Sequence, residues 1–185
     1  MGEVKEGYLN KKDMDYLNKV VVSNDMFPWY VLPKPVNEKY PCMSHVLLPR
    51  YDYKNNEGFK INSDLYGPML DIINNICQKH KIKIKRILRA QFNLTWKFKG
   101  VYSTPHFDHD FKHKNVIIYC NKFTKGSTYL FKETYRDKKP KTIMKEMKAD
   151  KGKYFIFPGE NFHAAGFPSK EGELRIICIF TLEEK

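Results

Sequence analysis

YSTPHFDHDF, residues 102–111, contains the most informative pattern of side chains in this sequence. Side chains alternate between the two faces of an extended strand, so His106 and Asp108 point the same way and can bind one metal ion. A second stretch, FPGENFHAAGFPSKEGELR at 157–175, supplies His163, 57 residues after His106. Two imidazoles and one carboxylate on one face of an octahedron leave three positions open, as in non-haem iron(II) sites that activate oxygen. The pattern therefore predicts a metal centre of His106, Asp108 and His163.

Arg175 follows His163 by 12 residues and lies inside the apolar run Leu174–Leu182. An arginine on a largely apolar strand needs an anionic partner, because a buried unpaired charge is costly. The carboxylate of a small organic acid would supply that partner through two parallel hydrogen bonds. We therefore expect Arg175 to bind a cosubstrate beside the metal.

Together these residues resemble the iron and cosubstrate motif of the iron(II)- and 2-oxoglutarate-dependent oxygenases. The surrounding sequence is most similar to the prolyl-hydroxylase branch of that family and to the small oxygenases of tailed phages. Further likenesses lie at Phe27–Trp29, Arg89–Leu94, Tyr119–Asn121 and Gly126–Phe131. The resemblance covers the second half of the chain well and the first half loosely.

The resemblance implies a dioxygenase that uses Fe(II), 2-oxoglutarate and O2, with ascorbate as an optional reductant. It implies that Tyr119 donates a hydrogen bond to the far carboxylate of 2-oxoglutarate, beside Arg175. The implied reaction is hydroxylation of a C–H bond, with succinate and CO2 as coproducts. The prolyl-hydroxylase likeness favours a peptidyl proline or another protein side chain, and a small-molecule substrate also stays open.

The expected fold is mostly β with a bracing α-helix. Many short strands, with candidate ligands on two of them that are far apart in sequence, fit a double-sheet jelly roll. The resemblance likewise implies a double-stranded β-helix of the cupin type. We interpret 1–185 as one domain, in which 1–83 supplies bracing strands and a helix and 84–185 forms the jelly-roll core with the site.

The clearest helix is predicted for Ile61–His80, where apolar residues follow the helical period and Asn62 or Ser63 can cap the first turn. Upstream, Val20–Val22 is a candidate edge strand and Ser44–Leu48 another. Three aromatic residues of this N-terminal segment, Trp29, Tyr30 and Tyr40, either line a substrate cleft or anchor loops in the core.

Lys85–Thr95 alternates with period two, which predicts a strand with an apolar face and a polar face. Arg89 and Asn93 lie on the polar face, so they either contact substrate or cosubstrate in a cavity or face water. Val116–Asn121 and Gly126–Lys132 are predicted to form a hairpin-like pair. In the last strand, Leu174 and the residues at even positions after it are expected to share the face opposite Arg175.

A zinc site is the alternative for the metal. His109 and His113 would lie on one face if their loop were helical, a common zinc arrangement, although no helical apolar stripe surrounds them. A non-catalytic metal-binding jelly roll is therefore the second function class to consider.

Composition limits the remaining possibilities. The 185 residues carry a net charge of +12 from 28 lysines and five arginines, which permits a nucleic-acid substrate. Because the lysines are scattered and arginine is scarce, we favour a solvated basic surface. The four cysteines show no paired spacing, and no apolar run reaches the roughly 18 residues that span a membrane. We expect a soluble, reduced, cytoplasmic protein without a signal segment, in the host cytoplasm if phage-encoded, and the oligomeric state stays open.

Overall fold

The computed structural model describes residues 3–33, 40–50 and 60–185. These residues form two α-helices, α1 (Lys11–Leu17) and α2 (Tyr66–Lys79), together with ten strands. The strands are β1 Lys5–Tyr8, β2 Tyr30–Leu32, β3 Cys42–Leu48, β4 Ile84–Thr95, β5 Lys114–Tyr119, β6 Thr128–Thr134, β7 Ile143–Met147, β8 Lys153–Pro158, β9 Asn161–Ala165 and β10 Arg175–Glu184.

Two antiparallel sheets face each other. The larger has the order β1-β8-β5-β10-β4-β3-β2, and the smaller has the order β7-β6-β9. Strands from the N-terminal segment extend the larger sheet, because β3 pairs with β4 and β1 pairs with β8. The mostly β jelly roll predicted from the sequence is confirmed.

The alternation of β10 divides its side chains between two apolar cores. Ile176, Cys178 and Phe180 join the core that packs under α2. Ile177 and Ile179 face the smaller sheet, in a second core between the sheets. The expectation for Leu174 was wrong, since the strand begins at Arg175 and Leu174 is 43% exposed.

Helix α2 lies against the outer face of the larger sheet as the predicted brace, and it buries Met69, Ile73 and Ile76. It begins at Tyr66, later than predicted, and no side chain caps it. The predicted caps make other contacts, although the Ser63 hydroxyl also accepts from the N–H of Leu65, just before the helix, at 3.3 Å. Asn62 donates to the carbonyl of Val46, and the Ser63 hydroxyl lies 2.8 Å from His45 Nε2.

Two strand predictions from local pattern were wrong. Val20–Val22 belongs to a π-helical turn, Asn18–Val22, that continues α1 and buries Val21. Packing against the core thus overrides the strand preference of three valines. The predicted hairpin does not form either, because β5 pairs with β8 and β10 in the larger sheet whereas β6 pairs with β7 and β9 in the smaller.

Neither α-helix of the described residues has the length and apolar character needed to cross a membrane.

Candidate metal centre and cosubstrate cavity

A two-residue β-bridge joins the distant histidines. The backbone N–H of His106 donates to His163 O at 3.0 Å, and the N–H of His163 donates to His106 O at 2.7 Å. Directly opposed residues of an antiparallel bridge put their side chains on the same face. The imidazole ring centroids consequently lie 4.6 Å apart, although 57 residues separate them in sequence.

Backbone carbonyls fix the proton of each imidazole. Nδ1 of His106 lies 3.3 Å from the carbonyl oxygen of Thr104, and Nδ1 of His163 lies 3.0 Å from that of Asn161. A carbonyl only accepts hydrogen bonds, so Nδ1 carries the proton and Nε2 keeps its lone pair in both rings. Metal-binding histidines in proteins are held in this way.

Asp108 completes a three-residue cluster. One donor atom from each of His106, Asp108 and His163 lies within 4.8 Å of the other two. The carboxylate is buried, with Oδ2 at 3.4 Å from His163 Nε2. Asn115 donates to that Oδ2 at 2.7 Å and accepts from Thr181 at 2.9 Å, which fixes the orientation of its amide.

Two arginines converge on the other oxygen of this carboxylate. Arg89 Nη2 donates to Asp108 Oδ1 at 2.9 Å, and Arg50 Nη2 donates to the same atom at 3.0 Å. Arg50 also donates to the backbone carbonyl of Asp108. Burial and the charge of Arg89 both lower the pKa of Arg50. The two positive charges of Arg50 and Arg89 therefore exceed the single negative charge of the Asp108 carboxylate.

The protonation states of the cluster suit a divalent cation. Burial first, and the neighbouring His163 second, lower the pKa of His106 to about 4. Burial alone would raise the pKa of Asp108, but the charge of Arg89, with smaller contributions from the neighbouring imidazoles, outweighs it, so this pKa lies well below its ordinary value. A neutral imidazole and an ionised carboxylate are the forms that bind metal. The donor set therefore fits an iron(II) ion bound by two nitrogens and one oxygen.

Arg175 is a buried cation at the start of β10, with 1% of its surface exposed. Its Nε donates to Gly126 O at 2.9 Å and its Nη2 to Thr128 Oγ1 at 3.0 Å. Within the described residues no carboxylate lies within 4 Å of it. Burial lowers the pKa of Arg175, as expected for a charge removed from water. The guanidinium thus has room for an anion that the described chain does not provide.

Tyr119 lies behind this arginine. Its hydroxyl is 2.8 Å from Thr128 Oγ1, accepts from the Thr128 N–H at 3.0 Å, and donates to Met147 O at 3.1 Å. Its ring lies 5.5 Å below the Arg175 guanidinium. Tyr119 does not line the cavity, whereas Thr128 does. Thr128 thus reaches the cavity directly, and the contact of Tyr119 with a cosubstrate stays a prediction.

One cavity of about 200 Å³ connects these groups. His106, His163 and Arg175 line it, as does the polar face of β4 that the sequence predicted. That face contributes Arg89, Gln91, Asn93 and Thr95. Gln91 donates to Asn93 Oδ1 at 2.6 Å, so Asn93 lies in the cavity wall and is held by its neighbour.

An aromatic group forms another part of the wall. Tyr40, Phe98 and Phe167 all line the cavity, and their ring centroids are 5.0 to 5.6 Å apart. Tyr40 and Phe98 are partly exposed and Phe167 is buried, so the group extends from the interior towards solvent. Of the three sequence candidates for a substrate cleft, Tyr40 therefore faces the cavity, whereas Trp29 and Tyr30 do not line it.

The alternative zinc pair does not form on a helix. The segment between Asp108 and β5 is irregular, with the rings of His109 and His113 at right angles and 5.1 Å apart. Neither residue belongs to the metal-ligand cluster found in the described chain. Burial, followed by the charge of Arg50, lowers the pKa of His109 to about 4.

Sequence reasoning missed three residues that contact the site. Asn115 is a polar residue inside an apolar strand, the same signal that identified Arg175, and it holds Asp108. Thr128 binds Arg175 from the start of β6. Arg50 reaches Asp108 across 58 positions, and nothing in its local sequence indicates this contact.

Comparison with known proteins identifies the fold. No family profile matches the sequence, and no curated protein matches it. Among solved structures, a 2OG-Fe(II) oxygenase family oxidoreductase from Burkholderia pseudomallei aligns with a TM-score of 0.70 at 11% identity, covering 97% of this chain and 84% of that one. A Pseudomonas putida prolyl-4-hydroxylase aligns with a TM-score of 0.62 at 13% identity, covering 98% and 92%.

A third similar structure contains a peptide. It is a prolyl hydroxylase from Trichoplax adhaerens in complex with a fragment of the hypoxia inducible factor oxygen degradation domain. The TM-score is 0.60 at 11% identity, and the alignment covers 97% of this chain and 82% of that one. This chain therefore has the fold of the 2-oxoglutarate- and iron(II)-dependent oxygenases, including prolyl hydroxylases.

Proposed function

We propose that this protein is an Fe(II)- and 2-oxoglutarate-dependent dioxygenase that hydroxylates a C–H bond. One observation carries the proposal. The imidazoles of His106 and His163, in the tautomer that binds metal, share a cavity with Arg175, a buried cation that lacks a carboxylate partner among the described residues. A metal cluster alone is found in many protein classes. The added anion site is what a 2-oxo acid requires.

Each residue then has a defined task. His106, Asp108 and His163 hold the metal, and Asn115 keeps the carboxylate of Asp108 turned towards it. Arg175 and Thr128 bind the far carboxylate of 2-oxoglutarate. Tyr119 positions both of them through its hydroxyl and its ring.

When bound, iron(II) with 2-oxoglutarate and O2 supplies oxidation of an unreactive C–H bond, with succinate and CO2 as coproducts. The chain supplies positioning and a cavity wall that excludes water. Apolar side chains such as Ile117, Ile177 and Ile179 contribute to that wall.

Succinate formation tests the reaction. Purified protein with iron(II), ascorbate and 2-oxoglutarate should form succinate. Asp108→Ala should abolish this turnover, and Arg175→Gln should raise the KM for 2-oxoglutarate at least about tenfold, because charge-assisted hydrogen bonds are lost. Full succinate production by Asp108→Ala would refute the ligand assignment. Tetrahedral zinc without any 2-oxoglutarate-dependent oxygen consumption would instead indicate a non-catalytic metal-binding module.

A peptidyl proline or another protein side chain is the proposed substrate. The apolar aromatic wall of Tyr40, Phe98 and Phe167 suits a ring or alkyl side chain. The Trichoplax adhaerens prolyl hydroxylase, which binds a peptide, shares the fold. Proline-containing peptides should stimulate 2-oxoglutarate turnover more than the same peptides with alanine at that position. Stimulation by nucleic acid that falls steeply with salt would point to a nucleic-acid substrate.

A further inference from the structure

Asp108 is bound by more positive charge than a metal ligand needs for orientation. Asn115 already fixes one carboxylate oxygen, and Arg89 is sufficient to fix the other. Arg50 donates to the same Oδ1 as Arg89, which brings two guanidinium groups close together. Like charges held together this closely repel each other, so a further anion between them would be stabilising.

The charge of the complete site makes the excess clear. Arg50 and Arg89 pair with one carboxylate, that of Asp108, and Arg175 is a third cation that lines the same cavity. A divalent metal ion and a doubly negative 2-oxo acid add no net charge. An excess of two positive charges remains. Metal binding to Asp108 also weakens its ion pairs with Arg50 and Arg89, for which it is the only carboxylate partner in the described chain.

Both arginines can reach a ligand. Arg89 lines the cavity, and its buried Nε has no hydrogen-bond partner among the described residues. The side chain of Arg50 is 42% exposed, so it can be approached from solvent. A ligand that enters beside the metal would meet Arg89 from within the cavity, whereas Arg50, which does not line the cavity, offers its donors from the solvent side.

These donors are separate from the cosubstrate anchor. Arg175 is opposite Thr95 in the β10–β4 pairing, and Arg89 is opposite Thr181, six positions further along β10. At a rise of about 3.3 Å per residue, the two arginines start roughly 20 Å apart along the sheet. Arg89 and Arg175 therefore belong to opposite ends of the cavity.

We propose that the substrate carries a carboxylate near the oxidised carbon, that of an acidic side chain in the peptide, which binds to Arg50 and Arg89 beside Asp108. A carboxylate is favoured because both guanidinium groups already bind one, Asp108, in their present conformations. This inference rests on the proposed oxygenase function and adds a requirement for an acidic substrate.

The test uses a carboxylate probe and measures binding. Protein loaded with Mn(II) and saturating 2-oxoglutarate is titrated with N-acetyl-aspartate amide, and the paramagnetic broadening of the probe's proton signals reports its approach to the metal. The neutral probe N-acetyl-asparagine amide is the matched ligand. The acidic probe should bind at least about tenfold more tightly, the value of one charge-assisted hydrogen bond.

Variants identify the residues responsible. Arg50→Gln should remove the tenfold preference, and Arg50→Lys should restore part of it. Arg136→Gln, at an exposed arginine between β6 and β7, removes the same charge away from the cavity and should leave the preference intact. Equal binding of the two probes to the unmodified protein, or an unchanged preference in Arg50→Gln, would overturn the proposal.

Two further outcomes are separable. If inorganic phosphate binds in an Arg50-dependent way and the aspartate probe does not, the proposal of a carboxylate is wrong and the substrate carries a phosphate group instead. Loss of 2-oxoglutarate binding in Arg50→Gln would assign this arginine to the cosubstrate. If the unmodified protein binds neither Mn(II) nor 2-oxoglutarate, the oxygenase proposal itself fails, and saturation-transfer measurements on the metal-free protein then show whether Arg50 still selects the acidic probe.

Discussion

Replacing Arg175 with methionine should stabilise the metal-free protein and remove its response to 2-oxoglutarate. In the native structure the guanidinium is fully buried and donates to the neutral acceptors Gly126 O and Thr128 Oγ1. A cation buried without an anionic partner lowers the stability of the folded state until an anion binds to it. The same residue therefore reduces stability and provides the binding site, a common trade-off at functional sites.

The magnitude follows from opposing terms. Burying a charged group costs several kcal/mol, and the two charge-assisted hydrogen bonds offset about 1.5–3 kcal/mol each. A buried methionine contributes about 1.5–3 kcal/mol of apolar burial and leaves the carbonyl of Gly126 without this donor, at a cost of about 1–3 kcal/mol. Replacing buried charges with apolar groups of similar volume is often stabilising by about 1–4 kcal/mol. We therefore expect the free energy of unfolding of Arg175→Met to be higher than that of the native protein by about 1 kcal/mol, near the lower end of this range, which raises Tm by about 2–4 °C at this chain length.

Thermal unfolding followed by the fluorescence of Trp29 and Trp96 measures both effects. Mn(II)-loaded native protein should gain about 2.7 kcal/mol at a 2-oxoglutarate concentration of 100 times Kd, and Arg175→Met should gain nothing. Arg136→Met, at an exposed position, should change the stability by less than about 0.5 kcal/mol. A loss of more than about 2 kcal/mol in Arg175→Met would show that the native protein already neutralises this cation, and the argument for an external anion would be refuted.

Three further predictions concern the metal-free protein. Asp108→Asn removes the counter-charge of two arginines and should lower the free energy of unfolding by about 3 kcal/mol, measured by urea titration in EDTA; unchanged stability would contradict the ion pairs. The pKa of His109 is about 4 in the folded state, so between pH 6.5 and 4 the unfolded chain binds a proton that the native one does not. Stability should therefore fall as the pH falls through this window, and His109→Phe should flatten the curve measured by urea titration. Gly166→Ala places a Cβ 2.4 Å from the carbonyl oxygen of Ser127 and should cost more than about 1 kcal/mol. Gly67→Ala in α2, where nothing lies within 4 Å, should be neutral or stabilising by about 0.5–1 kcal/mol; equal effects in the two alanine variants would refute the steric argument.

Local pattern predicted the features that depend on one strand at a time. The alternation of β4 and β10 predicted which residues share a face, and the structure then decided that the face with Arg89, Asn93 and Arg175 lines the cavity. Period two is a property of any extended strand, so it can be read without knowing which strand is its neighbour. Arg175 was identifiable for the same reason, because a charge in an apolar strand is conspicuous wherever that strand lies.

Local pattern failed where packing decides between conformations. Val20–Val22 has strand-type side chains, yet it continues a helix because Val21 fills the core there. Asn62 and Ser63 are good helix caps, yet their side chains bind β3 and His45, so α2 starts later. In each case a contact with a distant part of the chain outweighs a preference of about 1 kcal/mol or less.

The sequence by itself determined the donor types of the metal cluster and the place of Arg175 in an apolar strand, whereas the need of Arg175 for an anion stays a prediction. The expected strand around His106 and Asp108 does not form, since residues 103–111 have no strand apart from the bridge at His106, and the fold brings the two side chains together. Only the tertiary structure decided that His163 is paired directly opposite His106, that Thr128 rather than Tyr119 reaches the cavity, and that Arg50 joins Arg89 on one carboxylate. The physical reason is that side-chain direction follows from the local backbone, whereas the register between strands far apart in sequence is set by the packing of the whole chain.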